Sequence, residues 1–204
     1  PCRVLYNDAT HGIQLISKGT VGDNITLGDP NEDFNTALAS YNSAIETLNT
    51  AAGTYKNATY ANDARCVGSV PTVDANGMFA SKNSETAGPV ALQFEYNNSR
   101  SIDAKNTDTN YDYNNAGDWT KMGSLGVANE DIRNINAPYW LASRYVYSYS
   151  ANCFFYLRFV AGDGTWHQYD VCFVRSSGET YGNSFAYGLR LCFSLKSNIK
   201  VITD

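Results

Sequence analysis

Two histidines, five cysteines and scattered carboxylates are the reactive side chains of this 204-residue chain, and their spacing sets up no reaction. His11 falls in the first strand pair and His167 in the run Trp166-His167-Gln168-Tyr169-Asp170. A nucleophile needs an adjacent base and a bound phosphate needs a cradle of backbone N–H groups, yet no G-x-S-x-G, H-E-x-x-H or Gly-rich phosphate loop is present. Cys2, Cys66, Cys153, Cys172 and Cys192 form no C-x-x-C pair, and an odd number fits neither a disulfide scaffold nor a zinc site. Cys153, Cys172 and Cys192 lie in apolar strand-like runs and read as small buried hydrophobes, with one disulfide left open for an oxidising setting. Two stretches invite a calcium reading. Asp29-Pro30-Asn31 is better explained as a helix cap. Asp108-x-Asn110-x-Asp112-x-Asn114 has Tyr113 where an EF-hand loop turns on Gly and Trp119 where it closes on Glu, so it reads as a polar loop. The expectation is no catalytic residue, no metal and no cofactor.

Chemistry of another kind, non-covalent recognition, is written between Pro138 and Leu195. Thirteen rings (Tyr145, Tyr147, Tyr149, Phe154, Phe155, Tyr156, Phe159, Trp166, Tyr169, Phe173, Tyr181, Phe185 and Tyr187) are interleaved there with Ser, Asn, Gly and Asp. Cores favour Leu, Ile and Val, whereas Tyr beside small polar residues offers rigid amphipathic contact area with adaptable hydrogen bonds, the composition of a binding face. Tyr145, Tyr147 and Tyr149 alternate, which puts all three on one side of an extended chain. Trp166 to Asp170, just after a Gly-rich turn, is the stretch expected to carry the exposed contacts, with Trp166 and Tyr169 as anchors. Arg144, Arg158 and above all Arg190 read as structural, paired with carboxylates or carbonyls inside a strand-rich region.

The elements that must position this face follow from periodicity. Arg3 to Tyr6 and Gly12 to Ser17 alternate as a β-hairpin about Asn7-Asp8. Asp29 as N-cap, Pro30 at the first helical position and Glu32 in a capping box open a predicted helix. Its apolar positions Phe34, Leu38, Tyr41, Ala44 or Ile45 and Leu48 recur at helical steps, and it ends before Gly53. Tyr60 to Val70 suggests a helical turn and a strand stopped by Pro71. Thr72 to Lys121 is polar with scattered rings, expected as irregular but ordered insertions. Cys153 to Val160, Thr165 to Val174 and Leu189 to Leu195 read as a meander turning at 161–164 and 176–179, with Ile199 to Ile202 as a further edge strand. The class is α+β: short antiparallel strands, one long N-terminal helix and long irregular insertions.

A formal charge of −5 argues against nucleic acid, and no apolar run approaches the roughly 20 residues of a membrane span. Pro1-Cys2-Arg3-Val4-Leu5-Tyr6 begins like the middle of a strand, so an excised domain is expected.

Tyr139-Trp140-Leu141-Ala142-Ser143-Arg144, with Gly188-Leu189-Arg190-Leu191 downstream, resembles the C-terminal signature of bacterial and phage proteins with a C-type lectin fold of the formylglycine-generating-enzyme-like subclass. Within that group the chain is most similar to variable proteins of diversity-generating retroelements from gut bacteria and their phages, and Tyr41-Asn42-Ser43-Ala44-Ile45 and Asp63 to Ser69 share the likeness. The resemblance implies one C-type lectin-like domain over 1–204, with a scaffold at 1–137 and a variable ligand-binding segment at 138–195 rewritten by adenine-directed mutagenesis. Carried over by position, the ligand-binding residues would be Tyr145, Tyr147, Tyr149, Asn152, Phe154, Tyr156, Phe159, Asp163, Trp166, His167, Tyr169, Asp170, Phe173, Arg175, Glu179, Tyr181, Asn183, Phe185 and Tyr187. Framework positions would be Trp140, Leu141, Leu157, Val160, Val171, Val174, Gly188, Leu189 and Phe193. The expected function is non-enzymatic recognition of a protein or glycan ligand on a cell surface, from a virion tail or bacterial envelope. The alternative is a carbohydrate-binding or adhesive module of fixed specificity. A thiol-based enzyme on the same fold is the remote third reading.

Overall fold

The computed structural model describes residues 1–8, 12–69, 71–73, 79–81, 90–93, 99–102, 104–105, 130–149, 152–175 and 177–201. β1 (Cys2–Asp8) and β2 (Gly12–Ser17) form the expected hairpin, and β3 (Val21–Gly28), unforeseen in the sequence, leads into helix α1 (Phe34–Gly53). β4 (Arg65–Cys66), β5 (Pro71–Val73), β6 (Phe79–Ser81), β7 (Val90–Gln93) and β8 (Ser99–Ile102) follow, then a single turn α2 (Glu130–Arg133). The last third holds β9 (Tyr139–Tyr149), β10 (Asn152–Val160), β11 (Trp166–Arg175), β12 (Thr180–Gly182), β13 (Ser184–Leu189) and β14 (Leu191–Ser194). This is a mixed α+β protein with mostly antiparallel strands.

Two sheets carry the architecture. A four-stranded sheet runs β1-β2-β14-β4, so the closing strand lies beside the opening hairpin. A six-stranded sheet runs β12-β11-β10-β9-β13-β3, antiparallel except where Gly188 of β13 meets Tyr139 of β9. Two short antiparallel pairs, β5–β6 and β7–β8, form small sheets of their own, and Ile102 of β8 reaches the core. One hydrophobic core joins α1 to strands of both principal sheets.

The helix begins later than its capping sequence suggests. Asp33, not Asp29, is the N-cap: its side chain accepts from the Thr36 N–H at 2.8 Å. Asp29 is buried and holds the approach loop instead, accepting from the backbone N–H of Asn31 and of Asp33. Glu32 has a left-handed φ of 61°, which no helical residue adopts, and this breaks the expected register. The buried stripe is Phe34, Ala37, Tyr41, Ala44, Ile45, Leu48 and Ala52, with Leu38 at its margin, and Gly53 closes the helix rather than following it. Residues 199–201 form no strand, so the expected edge strand is absent there; Ile202, Val70 and His11 lie outside the described residues, as do Asp108 to Asn114.

Buried arginines tie distant segments together. Arg65, 1 % exposed, donates to the Asp63 carboxylate at 2.8 Å, to Gln14 Oε1 at 2.6 Å, to Ser194 Oγ at 3.1 Å and to the Ser69 carbonyl at 3.0 Å. Arg190 donates to the Ser17 carbonyl and to the Tyr139 hydroxyl, both at 3.0 Å, and lies over the Tyr139 ring, the structural role its setting implies. Arg144 donates to the Tyr41 carbonyl in α1, and burial pushes it down to about 10. Gly188 of the Gly-Leu-Arg-Leu phrase is there for space: an added Cβ would sit 2.3 Å from Thr20 Cγ2. Removing one partner of a buried pair strands the other charge in a poor solvent. Asp63→Ala should therefore cost about 3–5 kcal/mol in a urea titration, and an unchanged midpoint would show that the pair joins nothing.

Candidate recognition face

β10 sorts the segment into frame and display. Cys153, Phe155 and Leu157 are buried, while Asn152, Phe154 and Tyr156 keep part of their surface. Phe155 meets the rings of Phe34 and Tyr41 edge-on at 6.1 and 5.5 Å, so the odd-numbered side faces α1 and the even-numbered side faces away. The framework positions Trp140, Leu141, Leu157, Val160, Val171, Val174 and Leu189 are all buried, Gly188 is too, and Phe193 is half-buried.

On the face away from the helix, one row of stacked rings crosses four strands. Tyr145 of β9 stacks on its cross-strand partner Tyr156 at 4.9 Å, Tyr156 on Phe154 at 5.7 Å, Phe154 on Phe173 of β11 at 5.9 Å, and Phe173 on Tyr181 of β12 at 4.8 Å. A guanidinium covers each end: Arg158 lies 4.3 Å from the Tyr145 centroid, and Arg175 lies 5.1 Å from that of Tyr181. Arg158 is buried beneath the row and donates to Ser143 Oγ at 2.8 Å. Arg175 is exposed and pairs with Glu179 at 3.4 Å, a surface contact of small energetic weight. Tyr147 shares this face, opposite Phe154.

On the helix side a second cluster forms where β13 meets β10 and β11. Phe185 stacks on Tyr169 at 4.4 Å, Tyr169 on Phe159 at 4.9 Å, and Phe159 on Tyr187 at 4.3 Å, with Trp140 edge-on to Tyr187 at 4.7 Å. Trp140 is itself pinned by donating to the Ile25 carbonyl at 2.8 Å. His167 stacks on Phe159 at 5.5 Å and its Nε2 lies 2.9 Å from Thr165 Oγ1. Burial, then the neighbouring Tyr169, pushes the Tyr187 phenol up to about 12; burial and then Asp170 do the same for Tyr156.

A β-bulge divides the two clusters. Phe155 pairs with Cys172 but Tyr156 pairs with Asp170, leaving Val171 as an extra residue in β11. Before the bulge His167 and Tyr169 face the helix side and Asp170 faces away; after it Phe173 and Arg175 face away. Asn183 secures the irregularity, its N–H donating to the Val171 carbonyl at 2.7 Å and its side-chain amide to the Asp170 carbonyl at 3.1 Å.

The sequence-derived residues therefore divide. Tyr169 lies at the surface with 41 % exposure, but Trp166 at 3 % does not: its indole is packed under Arg158, 5.6 Å from the guanidinium carbon. Phe159 at 4 % and Tyr145 at 5 % are likewise closed off, because each is overlaid by the ring or guanidinium next to it. Asn183 positions the backbone, and exposed Asp163 braces its turn by accepting from the Thr165 hydroxyl and from the Thr165 N–H at 2.9 Å, which in that order hold its carboxyl below the usual range. Tyr147, Asn152, Phe154, Tyr156, Asp170, Phe173, Tyr181, Phe185 and Tyr187 are half-buried, and His167, Arg175 and Glu179 are exposed. The Tyr149 side chain lies outside the described residues.

The thiols are placed for packing. Cys66, Cys153, Cys172 and Cys192 are buried and unpaired, and Cys2 is exposed and unpaired. Burial pushes Cys153 up to about 12, Cys192 up to about 11, and Cys66 and Cys172 well up, the opposite of what a thiolate nucleophile requires. Among the described residues no cluster of His, Cys, Asp and Glu could hold a metal ion, and no helix is long and apolar enough to cross a membrane. Fold and surface thus define the class, a mixed α+β protein with a ring-rich sheet. Comparison with protein-family models, curated proteins and solved structures finds no match for this chain.

Two outcomes follow. Tyr169→Ser should leave the melting temperature within a few degrees, whereas Trp166→Ala should cost about 3–5 kcal/mol, both read by thermal and denaturant unfolding. Thiol labelling at neutral pH should modify Cys2 alone until the protein unfolds; rapid labelling of Cys172 or Cys192 would reopen thiol chemistry.

Proposed function

We propose that this chain is a non-enzymatic recognition protein whose 138–195 segment presents a Tyr-rich surface to a polypeptide ligand. The observation that carries this reading is the division of labour along one segment: framework positions are buried, and most interleaved rings and polar residues keep surface while braced by one another. Stacked rings lose little further freedom on binding, so the face is preorganised. The burial-raised thiols support a role without covalent chemistry.

The finer fold assignment, a C-type lectin-like domain, is part of the same reading. One long N-terminal helix packed on short antiparallel strands, with the final strand returning beside the first hairpin, supports it. The retroelement reading rests on the sequence resemblance and places the protein on a virion tail or bacterial surface. Carbohydrate binding is the second reading, and the ring geometry weighs against it. A sugar stacks through its C–H groups on an open ring face, and here most faces are already covered by neighbouring rings.

Sequencing the DNA that adjoins the coding region tests the variable-protein reading. The expected outcome is a reverse-transcriptase gene and a near-identical template that differs from the 138–195 coding segment only at adenines. A neighbourhood without either would leave a module of fixed specificity.

A further inference from the structure

Among the described residues, Asp170 is the one carboxylate set among the rings of the face away from the helix. It lies directly across from Tyr156 in the β10–β11 pairing, and the Val171 bulge follows it immediately. It is half-buried, and among the described residues no other residue donates a hydrogen bond to its carboxylate or pairs with it as an ion. Its carbonyl, by contrast, is held by Asn183, so the backbone here is fixed while the acidic group is left unanswered. The arginines of this face are engaged elsewhere. Arg158 lies under Tyr145 and Trp166, and Arg175 lies over Phe173 and Tyr181 beside Glu179. Burial raises the Asp170 carboxyl above its usual range, and the only opposing influence is its own backbone N–H. A desolvated charge without a counter-charge lowers the stability of the fold that carries it. Such a group belongs to a surface completed by something else.

We propose that Asp170 receives a lysine or arginine side chain of a bound polypeptide, with Tyr156 and the adjoining stacked rings walling the contact. This rests on the recognition role proposed above and narrows it to a ligand with a basic residue at the centre of its contact. The ring walls exclude water from the ion pair, which strengthens it, and the acid selects the sign of the incoming group. A carboxylate-bearing or neutral segment docked at the same place would leave Asp170 buried and unpaired, so the site also rejects wrong partners.

A random-peptide library displayed on phage, selected against the immobilised full chain, tests this. Peptides selected on the unaltered protein should share a Lys or Arg, and their affinity should fall about 30-fold or more for Asp170→Asn. Asp170→Glu, which keeps the charge, should retain part of the binding. The unliganded Asp170→Asn protein should melt no lower than the parent, because no internal partner is lost. Selected peptides that lack a common basic residue, or that bind Asp170→Asn equally well, would overturn the inference and leave the recognition role standing. A substantially lower melting temperature for Asp170→Asn would make Asp170 a structural residue and overturn it as well. No enriched peptide, with binding to a glycan array instead, would overturn the polypeptide reading and this inference with it.

Discussion

A guanidinium kept away from water joins the two ends of the chain. Arg65 takes oxygens from Gln14 in β2, from Asp63 and Ser69 beside it, and from Ser194 in β14, so segments far apart in sequence meet on one planar cation. Asp63 answers a second demand by accepting from the Ser194 N–H at 2.6 Å, which pins the closing strand. Asn49 of α1 accepts from the Cys66 N–H and from Ser69 Oγ, carrying the network into the helix. A buried ion pair need not add net stability over an apolar core, but its geometry admits few alternatives. The return of β14 beside β2 follows from it, and β13, one residue upstream, is delivered to the six-stranded sheet through Arg190.

From that frame the ring-rich face gains stiffness by stacking. In the far row each ring is the brace of the next, Tyr145 closed off and the others half-buried, and arginines close both ends. This differs from a cluster of single anchors, each moving on its own. It also means that altering one ring changes the support of its neighbours, so effects along the row should couple, as they do among residues in contact.

Much of this was legible in the amino-acid order, and the failures have definite causes. The first hairpin, α1 and the strands from Cys153 to Val174 follow from periods of two and 3.6 residues. Arg190 followed from the cost of leaving a buried cation unpaired. Asp29-Pro30-Asn31-Glu32 has the residues of a helix start, yet Glu32 turns left-handed and Asp33 takes the cap, a choice made by loop geometry that composition does not encode. Trp166 was misjudged because its neighbours Asp163, Thr165 and His167 are exposed, while its own indole turns beneath Arg158. The Val171 bulge left no mark in the pattern: simple alternation puts Tyr169 and Phe173 together, and one extra residue sends them to opposite sides. Arg65 and Asp63 stood two residues apart in the chain, but their partners at Gln14 and Ser194 could come only from the fold.

That bulge has a consequence for how such a surface can change over generations. Along β10 and β11, what a residue does depends on its parity relative to one irregularity, and parity survives any exchange of one side chain for another. It does not survive a gain or loss of a residue, which would turn every later side chain of the strand to the other face and bury what had been displayed. A scaffold of this kind is open to rewriting of its letters and closed to a change in their number.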